Sequence, residues 1–353
     1  ATRDALPLPT LPEARDYMAR VRREVLDRLE AIDPGASDEL LKDGFVFRMV
    51  LQHEYQHDET ILQTLQLKRG RTYPAPRALI APPAVDPDAP EPGATVRFPG
   101  GRVEHGTDDR SCAYDNERPR HAVELAPFRI DAHPVTNGAY ARFVEDGGYE
   151  RPDAWSGEGW AWVREAGVTA PKHWERTDDG WRTRAFDRES ALDPARPVCH
   201  VCYWEAEAYA SWAGRRLPTE FEWEAAASWD PVSARKLAYP WGDEAPTLLH
   251  ANLDAKLFEA APVGSYPRGV SPIGCWGMIG DVWEWTSTPF NGYPGYRTFP
   301  YPEYSEVFFG DEYRVLRGGS WATRPGTVRA TFRNWDYPIR RQIFAGFRCA
   351  ADD

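Results

Sequence analysis

A proline-rich segment divides this chain into two parts with different sequence patterns. Seven prolines fall between Tyr73 and Gly93, a composition that favours an extended, semi-rigid connection over a packed element. Long helical patterns precede this segment, and short extended runs separated by Gly, Pro and Asp turns follow it. We therefore expect a helical domain over residues 1–72, a linker over 73–93 and a second domain over 94–353. The length of 353 residues agrees with two domains.

The first part predicts two helices. One begins with Thr10 as its N-cap and has about 20 residues. The other runs from Asp38 to about Lys68, with an interruption at Gly44. Two helices do not form a stable bundle unaided, because each needs a second surface to cover its apolar face. Either the rest of the chain covers these faces, or further helices precede Ala1.

The second part predicts an α+β domain with much irregular structure. Extended runs occur at Val123–Ile130 and Arg314–Leu316, and helical patterns at Asn137–Glu145 and Trp204–Ala213. Turn residues separate these short elements throughout.

Charge and composition disfavour several function classes. Asp and Glu outnumber Lys and Arg by 54 to 42, and no basic run exceeds a pair such as Arg340-Arg341, so a nucleic-acid or anionic-membrane surface is not expected. No segment approaches the roughly 18 apolar residues of a membrane span. Five cysteines are an odd and sparse number for this length, which favours free thiols and a cytoplasmic location.

The second predicted helix carries a metal-like pattern. His53 and His57 are spaced i and i+4, so both imidazoles project from one face and can chelate one divalent metal. They lie near one stripe with Val50 and Ile61, where burying an unpartnered imidazole is costly. Two His and one further ligand suit redox iron. The segment also reads H-E-x-x-H, but a zinc protease is the weaker interpretation because no third ligand follows His57 closely.

Six segments, taken together, are similar to one known family. It is the sulfoxide synthases of ergothioneine biosynthesis, non-haem iron enzymes of the EgtB type. The matching segments cover essentially the whole chain in order, and they are His53–Thr60, Asp115–Pro119, Leu217–Glu224, Gly280–Thr286, Leu316–Trp321 and Phe332–Asp336.

The resemblance implies a DinB-like helical bundle, incomplete here, followed by a domain of the formylglycine-generating-enzyme fold, a C-type-lectin-like variant. It also implies three His ligands for Fe(II). His53 and His57 match two of them, and the third is expected upstream of Ala1, because no His precedes His53. Glu284 resembles a position that in relatives of the fold helps to bind a structural Ca²⁺, and a solvent-facing or hydrogen-bonded Glu is the open alternative.

The implied reaction joins the sulfur of γ-glutamylcysteine, or of cysteine, to the imidazole C2 of hercynine, with O2 as co-substrate and a sulfoxide as product. Tyr301 matches the family's proton donor. The implied substrate contacts are Gln56, Asn334 and Trp335 for hercynine, and Arg3 and Asp336 for γ-glutamylcysteine.

Other functions stay open at this point. The related ovothiol and selenoneine synthases share the architecture and differ mainly in the sulfur or selenium donor and the attacked carbon. A catalytically inactive scaffold would explain why no His precedes His53 in this sequence. Formylglycine-generating chemistry uses a pair of copper-binding cysteines, and it is disfavoured because no Cys lies between Thr331 and Ala345.

Overall fold

Contacts within the chain group its residues into two units. The computed structural model describes residues 7–33, 38–69 and 73–353. The first unit comprises Ala1–Leu51 and Arg110–Cys112, and the second comprises Gln52–Asp109 and Ala113–Asp353. The boundary after Leu51 falls inside a helix, so the residues from Gln52 onward belong to the second unit. The domain limits at residues 72 and 94 stay a prediction.

The first unit contains helix α1, Leu11–Glu30, which has the 20 residues expected. Its start is fixed by Thr10, whose backbone N–H donates to Glu13 Oε2 at 2.8 Å. This contact satisfies a donor that the first turn of a helix otherwise leaves free. None of the α1 residues is buried.

Helix α2, Phe45–Leu67, follows a break in the chain. Gly44 has φ +70° and Asp43 has φ +55°, a left-handed pair that ends the preceding turn. Gly tolerates this conformation because it has no Cβ. The predicted interruption at Gly44 is confirmed.

The second unit is a mixed α+β structure, as the sequence predicts. Its longer helices are α3 (Asn137–Glu145), α4 (Gly157–Ala166), α5 (Tyr203–Trp212) and α6 (Glu220–Ser228). The strands are β1 (Thr95–Phe98), β2 (Gly101–His105), β3 (His121–Leu125), β4 (Phe128–Asp131), β5 (Trp174–Thr177), β6 (Gly180–Ala185), β7 (Arg188–Ala191), β8 (Trp229–Asp230), β9 (Arg235–Lys236), β10 (Trp283–Phe290), β11 (Gly310–Arg317), β12 (Asn334–Asp336), β13 (Ala345–Gly346) and β14 (Ala350–Asp352).

These strands form several small sheets instead of one large sheet. A four-stranded sheet has the order β12-β11-β10-β13, and three-stranded sheets have the orders β1-β4-β14 and β5-β6-β7. The pairs β2-β3 and β8-β9 are separate. All pairings are antiparallel except β10 with β13. Long connecting loops therefore carry much of this unit.

Helix α6 lies at the centre of the second unit. Trp223 is fully buried in an apolar cluster that includes Phe98 and Phe128, whose rings stack with centroids 5.0 Å apart. The same helix buries Glu224, which pairs with Arg317 and Lys236. Buried charges persist only when they are paired. The helix is thus held by apolar packing on one side and by ion pairs on the other.

The proline-rich segment contains no helix or strand over residues 73–93, and it is attached to the second unit. The Leu79 N–H donates to Lys256 O at 2.8 Å, and the Asp86 N–H donates to Gly264 O at 2.9 Å. Ile80 packs against a cluster that contains Leu257. The segment is therefore a surface strap and not a free linker.

Two further observations concern the cysteines and the length of the helices. All five cysteines are free thiols. Within the ranges that the structure describes, no helix is long and apolar enough to cross a membrane.

Candidate functional site

His53 and His57 lie one turn apart on α2, in the part that belongs to the second unit. Their ring centroids are 4.6 Å apart. His53 is half-buried and His57 is exposed. Burial, and to a smaller extent the neighbouring His57, lowers the pKa of His53. The two imidazoles are thus close enough to share one metal ion.

The described residues do not complete a three-ligand metal site. Over residues 7–33, 38–69 and 73–353, no group of three or more His, Cys, Asp or Glu side chains is arranged to hold a metal. The His pair offers two nitrogen ligands on one helix face, and the metal ligation predicted for it stays a prediction.

Two stacked tyrosines lie beside the His pair. The Tyr304 ring meets His53 edge-on, with centroids 6.2 Å apart, and stacks on Tyr114 at 4.3 Å. Gln56 Nε2 donates to Tyr114 Oη at 2.9 Å and to Tyr304 Oη at 3.2 Å. Burial raises the pKa of both tyrosines, so their hydroxyls stay protonated and can donate hydrogen bonds at neutral pH.

The predicted proton donor, Tyr301, lies in the same loop but in different surroundings. It immediately precedes the 3₁₀ turn Pro302–Tyr304 and is 40% exposed. The residue that the structure brings against His53 is Tyr304, three positions later. Sequence reasoning did not single out Tyr304, and the only signal for it was a loop rich in Tyr and Pro. The role of Tyr301 stays a prediction.

The predicted hercynine contacts Asn334 and Trp335 lie on β12. This strand pairs with β11, with Trp335 opposite Val315. The Trp335 ring stacks on Phe290 with centroids 4.1 Å apart and meets Tyr304 edge-on at 5.9 Å. Tyr304 therefore contacts both His53 and Trp335, and one face of Trp335 is already covered.

The two predicted γ-glutamylcysteine contacts have different outcomes. Asp336 ends β12 and is paired with Arg340, with Nε 3.3 Å from Oδ1. Burial raises the pKa of Asp336 to about 6. Arg3 lies outside the described residues.

Polar side chains on another face of α2 hold it in the second unit. Glu59 accepts hydrogen bonds from Trp283 Nε1 at 2.8 Å, Ser320 Oγ at 2.8 Å and Thr323 Oγ1 at 2.6 Å. Gln52 Oε1 accepts one from Arg329 Nη1 at 2.8 Å. A buried polar group costs little when it is hydrogen-bonded in this way. These contacts fix the rotation of α2 and so the direction of its imidazoles.

Sequence reasoning assigned the wrong buried face to α2. The predicted stripe with Val50 and Ile61 is exposed, at 54% and 57%, whereas Gln52, Glu59 and Gln66 are buried. The available signal was their spacing of seven residues, which returns to the same side of a helix every two turns. A polar stripe normally faces solvent, which is why the inference failed.

The structure does not support the predicted Ca²⁺ at Glu284. Its Oε2 accepts from Arg348 Nε at 2.6 Å and from Trp223 Nε1 at 2.7 Å, and its Oε1 accepts from Arg348 Nη2 at 2.8 Å. A guanidinium already balances this buried carboxylate. Glu284 is therefore part of the scaffold around α6.

Comparisons with known proteins show the family to which this chain belongs. Residues 82–353 match the sulfatase-modifying factor enzyme 1-like domain. The whole chain is 49% identical to a hercynine oxygenase of Mycolicibacterium thermoresistibile and 48% identical to one of Mycobacterium tuberculosis, covering 77% and 80% of those proteins. Among solved structures, Treponema denticola variable protein 1 shares the fold, with a TM-score of 0.51 at 17% identity, over 73% of this chain and 95% of that one.

Proposed function

This chain belongs to the hercynine oxygenase family, and on that premise we propose that it catalyses Fe(II)- and O2-dependent carbon–sulfur bond formation. In the proposed reaction, the sulfur of γ-glutamylcysteine or cysteine is joined to the imidazole C2 of hercynine, and a sulfoxide is released. One observation carries the proposal: His53 and His57 lie beside a pocket of protonated tyrosines and an amide, all in one unit.

The two imidazoles would hold the metal. His57 is exposed, so the outer side of the pair is open to further ligands. When bound, Fe(II) would supply open positions for a thiolate and for O2, a role that suits a redox metal with a partial protein ligand set. A third protein ligand is part of this proposal.

Gln56 and Tyr304 would orient the imidazole of hercynine. An imidazole presents one donor and one acceptor, and a side-chain amide and a phenol can pair with both. Gln56 already bonds Tyr304 Oη and Tyr114 Oη, so its amide has a fixed direction before substrate enters. Holding the ring in one orientation decides which carbon meets the sulfur.

Trp335 and Asp336 would bind the charged groups of the substrates. A Trp ring attracts a quaternary ammonium through its quadrupole, and the ammonium would contact the part of the Trp335 ring that Phe290, Phe308 and Tyr304 leave uncovered. Asp336 would take the amino group of the thiol substrate. Arg3 would take a carboxylate.

A tyrosine near the His pair would supply the proton that separates sulfoxide formation from simple oxidation of the thiol. Tyr301 is the residue that the resemblance implies, and Tyr304 is the residue that contacts His53. Both belong to one loop, so a pair of matched variants can assign the role.

The test is a product assay on anaerobically purified protein with measured iron content. With hercynine, γ-glutamylcysteine and O2, we expect a sulfoxide by mass spectrometry, and cysteine in a parallel reaction identifies the preferred donor. Protein with about one iron per chain that forms no carbon–sulfur bond with either thiol would contradict the proposal.

The variants Tyr301→Phe and Tyr304→Phe then assign the proton donor. Removing the donor should shift the product from sulfoxide to sulfinic acid while the iron content stays unchanged. Removing a merely orienting hydroxyl should raise KM for hercynine and leave the product ratio unchanged. If neither variant changes the product ratio, a different group supplies the proton.

A further inference from the structure

A second cleft in the same unit has a different chemistry. It has a volume of about 560 Å³, which is large enough for a small molecule. It lies between the end of α2 and strands β5 to β7. We call it the cationic cleft, because five of its lining side chains are basic and two are acidic: Lys68, Arg69, Lys172, Arg182 and Arg184, with Glu175 and Glu189.

The basic side chains of the cationic cleft form no ion pair within the described residues, although Glu175 and Glu189 also line it. None of the five basic side chains has a carboxylate within ion-pair distance among residues 7–33, 38–69 and 73–353, although the chain has more acidic than basic residues. Some partly exposed arginines elsewhere are paired, as Arg324 is with Asp58 and Asp254. What distinguishes the cleft is that five basic side chains without an ion pair line one cavity.

The cations also repel one another. Burial lowers the pKa of Lys172, and the charges of Arg341, Arg69 and Arg184 lower it further. Arg341 has its own carboxylate partner, Glu205, but Arg69 and Arg184 have none within the described chain. Like charges held together destabilise a fold unless something compensates them.

Arg184 is held in place by neutral groups only. Its Nη1 donates to Phe186 O at 2.7 Å, and its Nη2 donates to Gln66 O at 2.9 Å and to His173 Nδ1 at 3.2 Å. Burial, with the nearby His200 and cations, lowers the pKa of His173 to about 2, so this ring is an uncharged acceptor. The guanidinium is thus oriented while its full charge remains.

The backbone at His173 supports the same conclusion. The backbone of this residue has φ +73°, a conformation that residues other than glycine rarely adopt. Such strain persists where the surrounding structure determines it, and it is concentrated at binding and catalytic sites. Here it turns His173 toward Arg184, directly after Lys172.

We propose that the cationic cleft binds a small oxyanion with two or more negative charges, such as a phosphate group. Two or three converging cations match the charge and the several acceptor oxygens of such a group. The carboxylates of Glu175 and Glu189 disfavour a long polyanion such as nucleic acid. The site is separate from the His pair, because His57 and Leu67 are ten positions apart on α2, which corresponds to about 15 Å of helix.

Binding can be measured without turnover. The probe is inorganic phosphate, titrated by calorimetry at constant ionic strength, with succinate and acetate as dicarboxylate and monoanion probes. Constant ionic strength matters because salt screens exposed charges. We expect saturable phosphate binding and a higher melting temperature with phosphate, since a ligand of the folded state stabilises it. If succinate binds and phosphate does not, the proposal of a divalent oxyanion site holds, and its ligand is a dicarboxylate.

The matched variants are Lys172→Gln in the cleft and Arg235→Gln outside it. Arg235 is exposed and pairs with Asp243. Losing one charge-assisted contact should weaken phosphate binding about tenfold in Lys172→Gln, and further in the double variant with Arg69→Gln. Arg235→Gln should bind as the unchanged protein does. Equal affinity in all variants, or no binding of either divalent anion at millimolar concentration, would overturn the proposal.

Discussion

The two faces of helix α2 differ in how completely their polar groups are satisfied. On one face, Gln52, Glu59 and Gln66 are buried, and each is hydrogen-bonded to a loop or strand of the second unit. On the other face, His53 and His57 have neighbouring rings but lack a third metal-binding side chain among the described residues.

This difference separates the residues that build the site from those that use it. The face with Gln52, Glu59 and Gln66 fixes the position of the helix. Its polar atoms already form hydrogen bonds within the protein, so few of them can bind a ligand. The other face presents the two imidazoles, whose nitrogens would be the metal ligands in the proposed reaction. The same contrast applies to the paired arginines near α6 and the unpaired ones of the cationic cleft.

The largest expected effect comes from removing one imidazole. His57→Ala should lower iron affinity and turnover at least about 100-fold, because even outer partners of metal ligands cost up to that much. Its melting temperature should change little, since His57 is exposed. Iron per chain and the rate of sulfoxide formation measure this. Glu54→Gln, next to the pair, is the control and should keep both iron and turnover. If His57→Ala lost no more iron than Glu54→Gln, His57 would not be a ligand.

The next largest effect is expected from replacing Glu59, the central buried residue of α2, and it should be a loss of unfolding free energy. Glu59→Ala leaves the donors of Trp283, Ser320 and Thr323 without an acceptor and opens a cavity, so we expect a loss of about 3 kcal/mol in unfolding free energy. Glu59→Gln keeps the volume and should lose about 1 kcal/mol. Urea denaturation measures both. Equal losses in the two variants would show that the hydrogen bonds of Glu59, and not its volume, determine stability here.

The same carboxyl predicts a pH dependence. Burial raises the pKa of Glu59 above its unfolded value despite its hydrogen bonds, so the folded state binds this proton more tightly than the unfolded state does. Stability from this group is therefore greatest below the unfolded pKa of about 4.3 and falls as pH rises toward the folded pKa. The unfolding free energy of wild type minus that of Glu59→Gln should decrease between acidic and neutral pH. A difference that increases with pH would contradict the assigned shift.

The smallest effect is expected at the exposed apolar residues. Ile61→Ser should change the unfolding free energy by less than about 0.5 kcal/mol, because Ile61 is 57% exposed. Leu62→Ser is the comparison, since Leu62 packs against the cluster around Trp321 and should cost more. A large loss for Ile61→Ser would mean that another part of the protein covers this face.

Local features of the fold could be predicted from the sequence to a large extent. Thr10 as a cap, the break at Gly44 and the helix Asn137–Glu145 depend on neighbouring residues, so short patterns suffice. The extended run at Val123–Ile130 was only partly right, because Pro127 lies between β3 and β4. The fold class and the family were confirmed because several separate segments agreed.

The arrangement of the site was harder to predict. The contact of Tyr304 with His53 joins residues about 250 positions apart, and no local rule selects Tyr304 over Tyr301. The buried face of α2 was misassigned because its partners, such as Trp283 and Ser320, are supplied by distant loops. Hydrophobic periodicity describes burial in apolar surroundings and not burial in a hydrogen-bonding one.

The seven-residue spacing of Gln52, Glu59 and Gln66 has a consequence for how this helix can change in evolution. The hydrogen bonds of these three residues determine both the rotation of α2 about its axis and its position along that axis. One inserted or deleted residue between them would turn everything beyond it by about 100° and move it about 1.5 Å. Such a change would separate His57 from the pocket or Gln66 from β6. We therefore expect length variation in this protein to occur in its loops, and the spacing of the 15 residues from Gln52 to Gln66 to stay unchanged.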